Sequence, residues 1–281
     1  MKRRLQLVPI FIVAGALTSF AQKSTDIETP KHKAWDMLQN AAMSKRVLDR
    51  TDGVRALGLI RDNPRARDLA VDSLKDPKPE VRTAAATALG QMRATESIPD
   101  LEKALKDPKV SVVIAAARSL RDLKDEASAY AVYYDLLTGK RKNSDGLIAQ
   151  QLETLKNPRE LAKIGFSEGI GYIPFAGIGW DAWRTMHKKD PNPARAVAAT
   201  YLAHDPDPAT AQALVKATAD KDWIVRAAAI EAIAERGDPS LMPKVEVRFT
   251  DRNPKVRYSA AAAVIRLTAI EHDKTARNIL K

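Results

Sequence analysis

The chain has 281 residues, of which 45% are hydrophobic and only 5% are aromatic. This length allows one or two globular domains or one array of repeats, and the composition favours a core of small aliphatic side chains. The formal net charge of +11 is compatible with an anionic partner. Because there is no cysteine, disulfides, a thiolate metal site and a lipid-anchoring cysteine are excluded.

Residues 1–21 have the pattern of a secretory signal peptide. Lys2-Arg3-Arg4 forms the positive end, Leu5–Leu17 is apolar, and Ser19-Phe20-Ala21 ends in small residues. We predict cleavage after Ala21 and export to the periplasm or the extracellular space. The alternative is a retained anchor, although Leu5–Ala21 has the minimum length for spanning a bilayer.

A polar linker and an N-terminal cap are predicted next. Residues 22–33 are polar and predict a flexible linker. In residues 34–49, Trp35 and Leu38 follow helical spacing, so this segment is expected to cap the open end of a helical stack at the start of a domain that spans residues 34–281.

Residues 50–138 contain three copies of a unit. The clearest begins with Asp76-Pro-Lys-Pro-Glu-Val-Arg82, runs into a helix over Thr83–Leu89, and is followed thirty-one residues later by Asp107. Val113 stands where the second copy should have arginine, and Val54-Arg55 is a weaker earlier copy. The prolines suit the turn or the first helical position, and the aspartates can accept backbone N–H groups there.

Residues 139–189 depart from the repeat. They read as a degenerate unit with a glycine-rich insertion at residues 163–183, which predicts a short apolar hairpin rather than a membrane span, because Pro174, Glu168 and Asp181 disfavour spanning. Long insertions in compact folds are often functional. The hairpin is therefore the predicted partner-binding site, and the alternatives are that it packs on its own repeats or dips into a membrane interface. The candidate contact residues are Gly169, Gly171, Tyr172, Pro174, Phe175, Gly177, Gly179, Trp180 and Trp183.

Residues 190–267 contain the most regular copies, and residues 268–281 are expected to form a polar C-terminal tail. In the copy that starts at Asp220, the spacing of apolar residues is one stripe of an α-helix, made of Val225, Ala228, Ala229, Ala232 and Ile233. A lone pair of short helices cannot bury such a stripe, whereas stacked copies bury each other's stripes. The periodicity therefore predicts a solenoid.

The recurring pattern Asp-Pro-x-x-x-Val-Arg-x-x-Ala-x-x-Ala-Leu, traced over most of Val54–Leu267, resembles the HEAT repeat in the short bacterial form named after phycobilisome lyases. The resemblance implies an all-α protein, an α-solenoid of stacked helical hairpins with an elongated binding face that serves mostly as a scaffold. The lyase likeness exists at the repeat level alone. HEAT-like DNA glycosylases use tryptophans and an aspartate, to which Trp180-Asp181-Ala182-Trp183 is a weak match. Export argues against both activities.

Regularly spaced arginines form the most regular charged feature. We call them, with the aspartates of the neighbouring units, the arginine ladder: Arg82, Arg195, Arg226 and Arg257 with Asp107, Asp220 and Asp251. A basic stripe for an anionic polymer is one interpretation. The favoured interpretation is structural, with each arginine stem covering a helix and its head meeting an aspartate of an adjacent unit.

No set of residues indicates catalysis, a metal site or a cofactor. His32, His187, His204 and His272 are isolated from residues with metal-ligand spacing. The sequence thus predicts a non-enzymatic, exported scaffold that binds an unknown protein and contacts it through the hairpin. The alternative is a peripheral binder of an anionic membrane or nucleic acid through its basic surface, and export disfavours nucleic acid.

Overall fold

The computed structural model describes residues 29–138 and 192–279, and all regular structure in these two ranges is helical. The first range contains seven α-helices: α1 (Pro30–Ala42), α2 (Val47–Ala56), α3 (Pro64–Ser73), α4 (Pro79–Gln91), α5 (Ile98–Ala104), α6 (Val110–Asp122) and α7 (Glu126–Thr138). The second contains five: α8 (Asn192–Leu202), α9 (Pro208–Ala217), α10 (Trp223–Arg236), α11 (Met242–Glu246) and α12 (Pro254–Ile279).

Helix starts follow from local sequence. The Asn63 side chain accepts the Ala66 N–H at 3.1 Å to cap α3, and the Asp222 side chain accepts the Ile224 N–H at 2.7 Å to cap α10. Proline occupies the first turn of α4, where its missing N–H costs no hydrogen bond. Gly237 ends α10 with a φ of 67°, a left-handed conformation that favours glycine.

The helices stack as an α-solenoid, which confirms the predicted fold class. One helix of each pair packs on the next along a continuous row, in the spatial order α8, α10, α12, α2, α4 and α6. A second helix accompanies each member of this row. The described helices thus form six units, made of α8/α9, α10/α11, α12/α1, α2/α3, α4/α5 and α6/α7.

The spatial order differs from the chain order, because the last described helix pairs with the first. Helix α1 packs between α12 and α2, the position of a second helix in any other unit. The prediction that residues 34–49 cap an open end of the stack is therefore wrong. Trp35 and Leu38 are buried within the stack, at 5% and 0% exposure, because the stripe of α12 lacks a sequential partner and α1 covers it.

Two predicted boundaries also change. The predicted linker at residues 22–33 overlaps α1, which begins at Pro30 because the Thr29 side chain caps it by accepting the His32 N–H at 3.2 Å. At the other terminus, the expected polar tail from residue 268 continues α12 as a helix to Ile279, and its residues 271–279 are exposed.

Small side chains let the row of helices pack closely. Ala84, Ala85, Ala86 and Ala88 of α4 are all buried. An added Cβ on Gly90 would lie 2.5 Å from Ser119 Oγ, and that hydroxyl donates to the Ala86 carbonyl at 2.8 Å across the α4–α6 contact. This close approach explains why the core needs few aromatic residues.

Candidate functional site at the junction of the two ranges

The arginine ladder joins consecutive units by ion pairs. Arg82 donates to both carboxylate oxygens of Asp107 at 2.7 and 2.9 Å, and Arg226 does the same to Asp251 at 2.7 Å for each bond. Arg195 donates through Nη2 to Asp220. Each of these aspartates lies twenty-five residues after its arginine, in the turn before the next helix of the row.

The aspartates also organise their own turns. Asp107 Oδ1 accepts the Lys109 N–H at 2.8 Å, and Asp251 Oδ1 accepts the Asn253 N–H at 2.8 Å. Burial alone would raise the pKa of Asp251, but its bonds to Arg226 and to the Asn253 amide lower that pKa overall. One carboxylate therefore fixes both a turn and the contact between two units.

Arg50 belongs to the ladder, whereas the repeat pattern predicts Arg55 as the arginine of the first unit. Its Nε and Nη2 donate to Asp76 at 2.7 and 3.1 Å, and its Nη1 donates to the Ser44 carbonyl at 2.8 Å. Ser44 thus occupies the position that aspartate has in the other units. The unit that contains Arg257 precedes the unit of Arg50 in the stack. Arg257 donates to the Asp251 carbonyl at 2.8 Å.

A charged cluster locks the two ranges together. Glu235 of α10 accepts from Arg61 at 2.8 Å and from Arg266 of α12 at 2.9 Å. Arg266 also donates to the Leu59 carbonyl at 3.0 Å, and its side chain is only 9% exposed. Since Arg61 and Leu59 follow α2, these bonds join α2 to both α10 and α12.

Beside this lock lies a small cavity of about 30 Å³, partly open to solvent, which we call the junction cavity. Helices α2, α4, α10 and α12 all contribute to it. Its lining residues are Asp52, Arg55, Ala56, Leu59, Gln91, Ala227, Glu231, Lys255 and Ser259.

Charged side chains from different helices meet in the junction cavity. Asp52 Oδ1 lies 3.2 Å from Arg55 Nη1 and 3.7 Å from Lys255 Nζ, so one carboxylate stands between two cations. Lys255 Nζ also lies 5.2 Å from the ring centroid of Trp223. The buried Nε of Arg55 has no hydrogen-bond acceptor among the described residues. Glu231 Oε1 accepts from Ser259 Oγ at 3.0 Å.

The ionisable groups of the cavity are poorly solvated. Burial raises the pKa of Glu231 to about 8, and the Ser259 hydrogen bond and the positive charges of Arg55 and Lys255 only partly offset this effect. Burial also raises the pKa of Asp52 and lowers that of Lys255. At neutral pH Glu231 is therefore protonated, and its carboxyl can donate a hydrogen bond.

The repeat pattern does not predict this site, because the residues that build it lie far apart in the chain. Ser259 stands at the stripe position that Ala228 occupies one repeat earlier, which is a polar signal within an apolar stripe, whereas Glu231 lies outside the stripe. Asp52 and Arg55 on α2 show no comparable pattern. Their significance depends on the pairing of α2 with α12, which the spacing of repeats does not predict.

The glycine-rich residues proposed as the contact site, from Gly169 to Trp183, lie outside the described residues. Within residues 29–138 and 192–279, no group of three His, Cys, Asp or Glu side chains is arranged to hold a metal ion. None of the described helices is both long enough and apolar enough to cross a membrane.

Several solved structures are similar to this chain. Human deoxyhypusine hydroxylase in complex with glycerol is 19% identical, with 85% of each chain covered and a TM-score of 0.32. The CpcE–CpcF complex of phycocyanin lyase from Nostoc sp. PCC7120 is 19% identical, with 92% of this chain and 99% of that chain covered and a TM-score of 0.33. A designed armadillo repeat protein is 18% identical, with 83% and 98% covered and a TM-score of 0.25. At these identities and TM-scores, the likenesses carry no argument about activity.

A protein-family model identifies the repeats of this chain. No curated protein matches the chain. The family model that describes HEAT repeats matches residues 37–129 and 182–265, which include the ladder pairs and every residue that lines the junction cavity. The chain therefore belongs to the HEAT-repeat family.

Proposed function

We propose that this protein is a non-enzymatic scaffold that binds a partner protein along its solenoid. The observation that carries the proposal is the junction cavity, which is partly open to solvent and is lined by charged groups that include Arg55, whose buried Nε has no acceptor among the described residues. A HEAT-type solenoid offers extended surface for a partner because each unit contacts only its neighbours. The charged side chains of the arginine ladder, by contrast, bond to other residues of the fold.

The proposal extends to location and to a second contact. The signal-like residues 1–21 support export after cleavage near Ala21, to the periplasm or outside the cell. The glycine-rich segment at residues 163–183 is proposed as a further contact site, because it combines glycine with Tyr172, Phe175, Trp180 and Trp183. Aromatic residues are enriched in the cores of protein interfaces.

Affinity capture from the cell envelope tests this function. The bait is the full chain, compared with a chain that lacks residues 165–179 and with a control chain in which the same residues are scrambled. The captured protein is identified by mass spectrometry, purified, and titrated against each bait by calorimetry. We expect a saturable complex with the intact chain and weaker binding by both altered chains.

Three outcomes count against the proposal or its parts. Unchanged affinity after the deletion removes the glycine-rich segment as a contact. The absence of any saturable complex removes the scaffold function. Affinity that falls steeply between low and physiological salt, with anionic vesicles competing for the chain, would instead favour the binding of an anionic surface.

A further inference from the structure

The charge balance of the junction cavity leaves one positive charge without an opposing one. Arg55 and Lys255 supply two cations, and Asp52, which lies near both, supplies one carboxylate. Glu231 adds no charge at neutral pH because its carboxyl is protonated. A small anion entering the cavity would therefore gain a favourable charge interaction in a poorly solvated environment, where such interactions are stronger than in water.

Hydrogen-bond donors are available to that anion. The Nε of Arg55 is buried without an acceptor among the described residues, and a buried donor left unpaired is unfavourable. The planar guanidinium group matches a planar carboxylate, to which it can donate two parallel bonds. Lys255 Nζ and the protonated carboxyl of Glu231 supply further donors from α12 and α10.

The rest of the lining is suited to an aliphatic stem. Ala56, Leu59 and Ala227 line the same cavity as the charged groups. A glutamate side chain brings two methylene groups behind its carboxylate, which these apolar side chains can cover. An inorganic anion has no such stem, and a nucleic-acid backbone would place a bulky diester, rather than a narrow side chain, at the opening.

We propose that the junction cavity is a carboxylate-binding subsite that takes an acidic residue of the partner protein. The assignment rests on the proposed scaffold function and names the chemistry of the partner at this point. Because Arg55 and Asp52 come from α2 whereas Lys255 and Glu231 come from α12 and α10, an occupant also touches both ranges of the chain. Binding should then tighten the junction between them.

Titration of purified full-length chain with a fluorescent hexaglutamate peptide tests the subsite. The peptide is used with its C-terminus amidated and, in parallel, with a free C-terminal carboxylate. We expect saturable binding at neutral pH that the variant Arg55→Met weakens by about tenfold or more, as expected for the loss of a charge-assisted hydrogen bond. Arg46→Met is the matched control, since it removes one cation from a side chain that is 72% exposed and outside the cavity.

The pH profile provides a readout that misfolding of a variant would not reproduce. Glu231 faces Asp52 and Arg55 of α2, Gln91 of α4, and Lys255 and Ser259 of α12, with Glu235 one turn away on its own helix. As the pH rises through about 8, Glu231 ionises, so it loses its donor and adds a negative charge. Peptide affinity should fall in this range for the native chain and stay nearly constant for Glu231→Gln.

The outcomes separate the subsite from the wider function. Binding by both peptides assigns acidic side chains, and binding by the free-carboxylate peptide alone keeps the subsite but assigns a chain terminus. Equal weakening by Arg55→Met and Arg46→Met overturns the subsite, as does binding of anionic vesicles or single-stranded DNA without binding of either peptide. If Arg55→Met captures the envelope partner as well as the native chain, the subsite fails while the scaffold function stands.

Discussion

At the scale of single residues, the ladder arginines connect neighbouring units by hydrogen bonds and ion pairs. Arg226 uses four hydrogen bonds: two to the Asp251 carboxylate at 2.7 Å, and one each to the carbonyls of Asp220 and Lys221 at 2.9 and 3.1 Å. Its side chain is 3% exposed and that of Asp251 is 6% exposed, so the pair is buried. Such a pair is costly to break because the remaining charge stays desolvated.

We expect Arg226→Ala to lower the free energy of unfolding by about 3–5 kcal/mol, because Asp251 is left buried without its cation. Urea denaturation followed by circular dichroism measures this loss. The native pair should also weaken on acidification, since the pKa of Asp251 is lowered in the folded state and the stabilisation is lost as the pH falls through that pKa.

The control is Arg46→Ala, which removes an exposed arginine that lies 3.6 Å from Asp49 and should change stability by no more than about 1 kcal/mol. Equal losses from the two variants would show that the ladder pair does not fasten the units. Partner binding should respond less than stability to Arg226→Ala, because this side chain is committed to contacts within the fold.

At the scale of secondary-structure elements, the distance between helices of the row depends on small residues. Helix α4 meets α6 where an added Cβ on Gly90 would lie 2.5 Å from Ser119 Oγ, 2.7 Å from its Cβ and 3.0 Å from its Cα. The last of these is a backbone atom, so rotation of the serine side chain cannot relieve the overlap. The helices must therefore separate, which also stretches the hydrogen bond from Ser119 to the Ala86 carbonyl.

We therefore predict that Gly90→Ala destabilises the protein. The cost of overpacking, about 1–3 kcal/mol, exceeds the gain in helix propensity of up to about 1 kcal/mol. Thermal unfolding of Gly90→Ala, Ser119→Gly and the double variant forms a cycle that measures the coupling. A coupling that offsets part of the loss supports the overlap, and strict additivity would contradict it.

At the scale of the whole molecule, the start of the first described range packs against the end of the second. Helix α1 covers the stripe of α12, and the cluster of Arg61, Glu235 and Arg266 fixes the end of α2 against α10 and α12. The stability of the second range therefore depends on residues more than two hundred positions earlier. This arrangement also creates the junction cavity, which neither range contains by itself.

The variant Leu38→Ala tests the packing of α1 against α12. Leu38 is fully buried in α1, so we expect a loss of about 2–5 kcal/mol. Hydrogen–deuterium exchange should increase in residues 256–267 of α12 although they are distant in sequence. Leu120→Ala, which empties an equally buried position in α6, is the matched control and should leave exchange in α12 close to native. The reverse pattern would show that α1 does not support α12.

The repeated unit can be predicted from the order of the amino acids alone. The spacing of Arg226 and Arg257, and the alanine stripes that follow each of them, predict paired helices that must stack, because a single pair cannot bury its stripe. The twenty-five-residue interval from Arg226 to Asp251 and the thirty-one-residue repeat together place an arginine of one unit beside an aspartate of the next. These are local and nearest-neighbour properties, which periodicity in a sequence records directly.

Which units are neighbours at the junction can be seen only in the folded chain. The pairing of α1 with α12 has no counterpart in the repeat spacing, since any exposed alanine stripe could accept any amphipathic helix of suitable length. The juxtaposition of Asp52 and Arg55 with Glu231 and Lys255 follows from that pairing. The physical reason is that stacking contacts have similar chemistry in every unit, so long-range order depends on the geometry of the whole chain rather than on any local pattern.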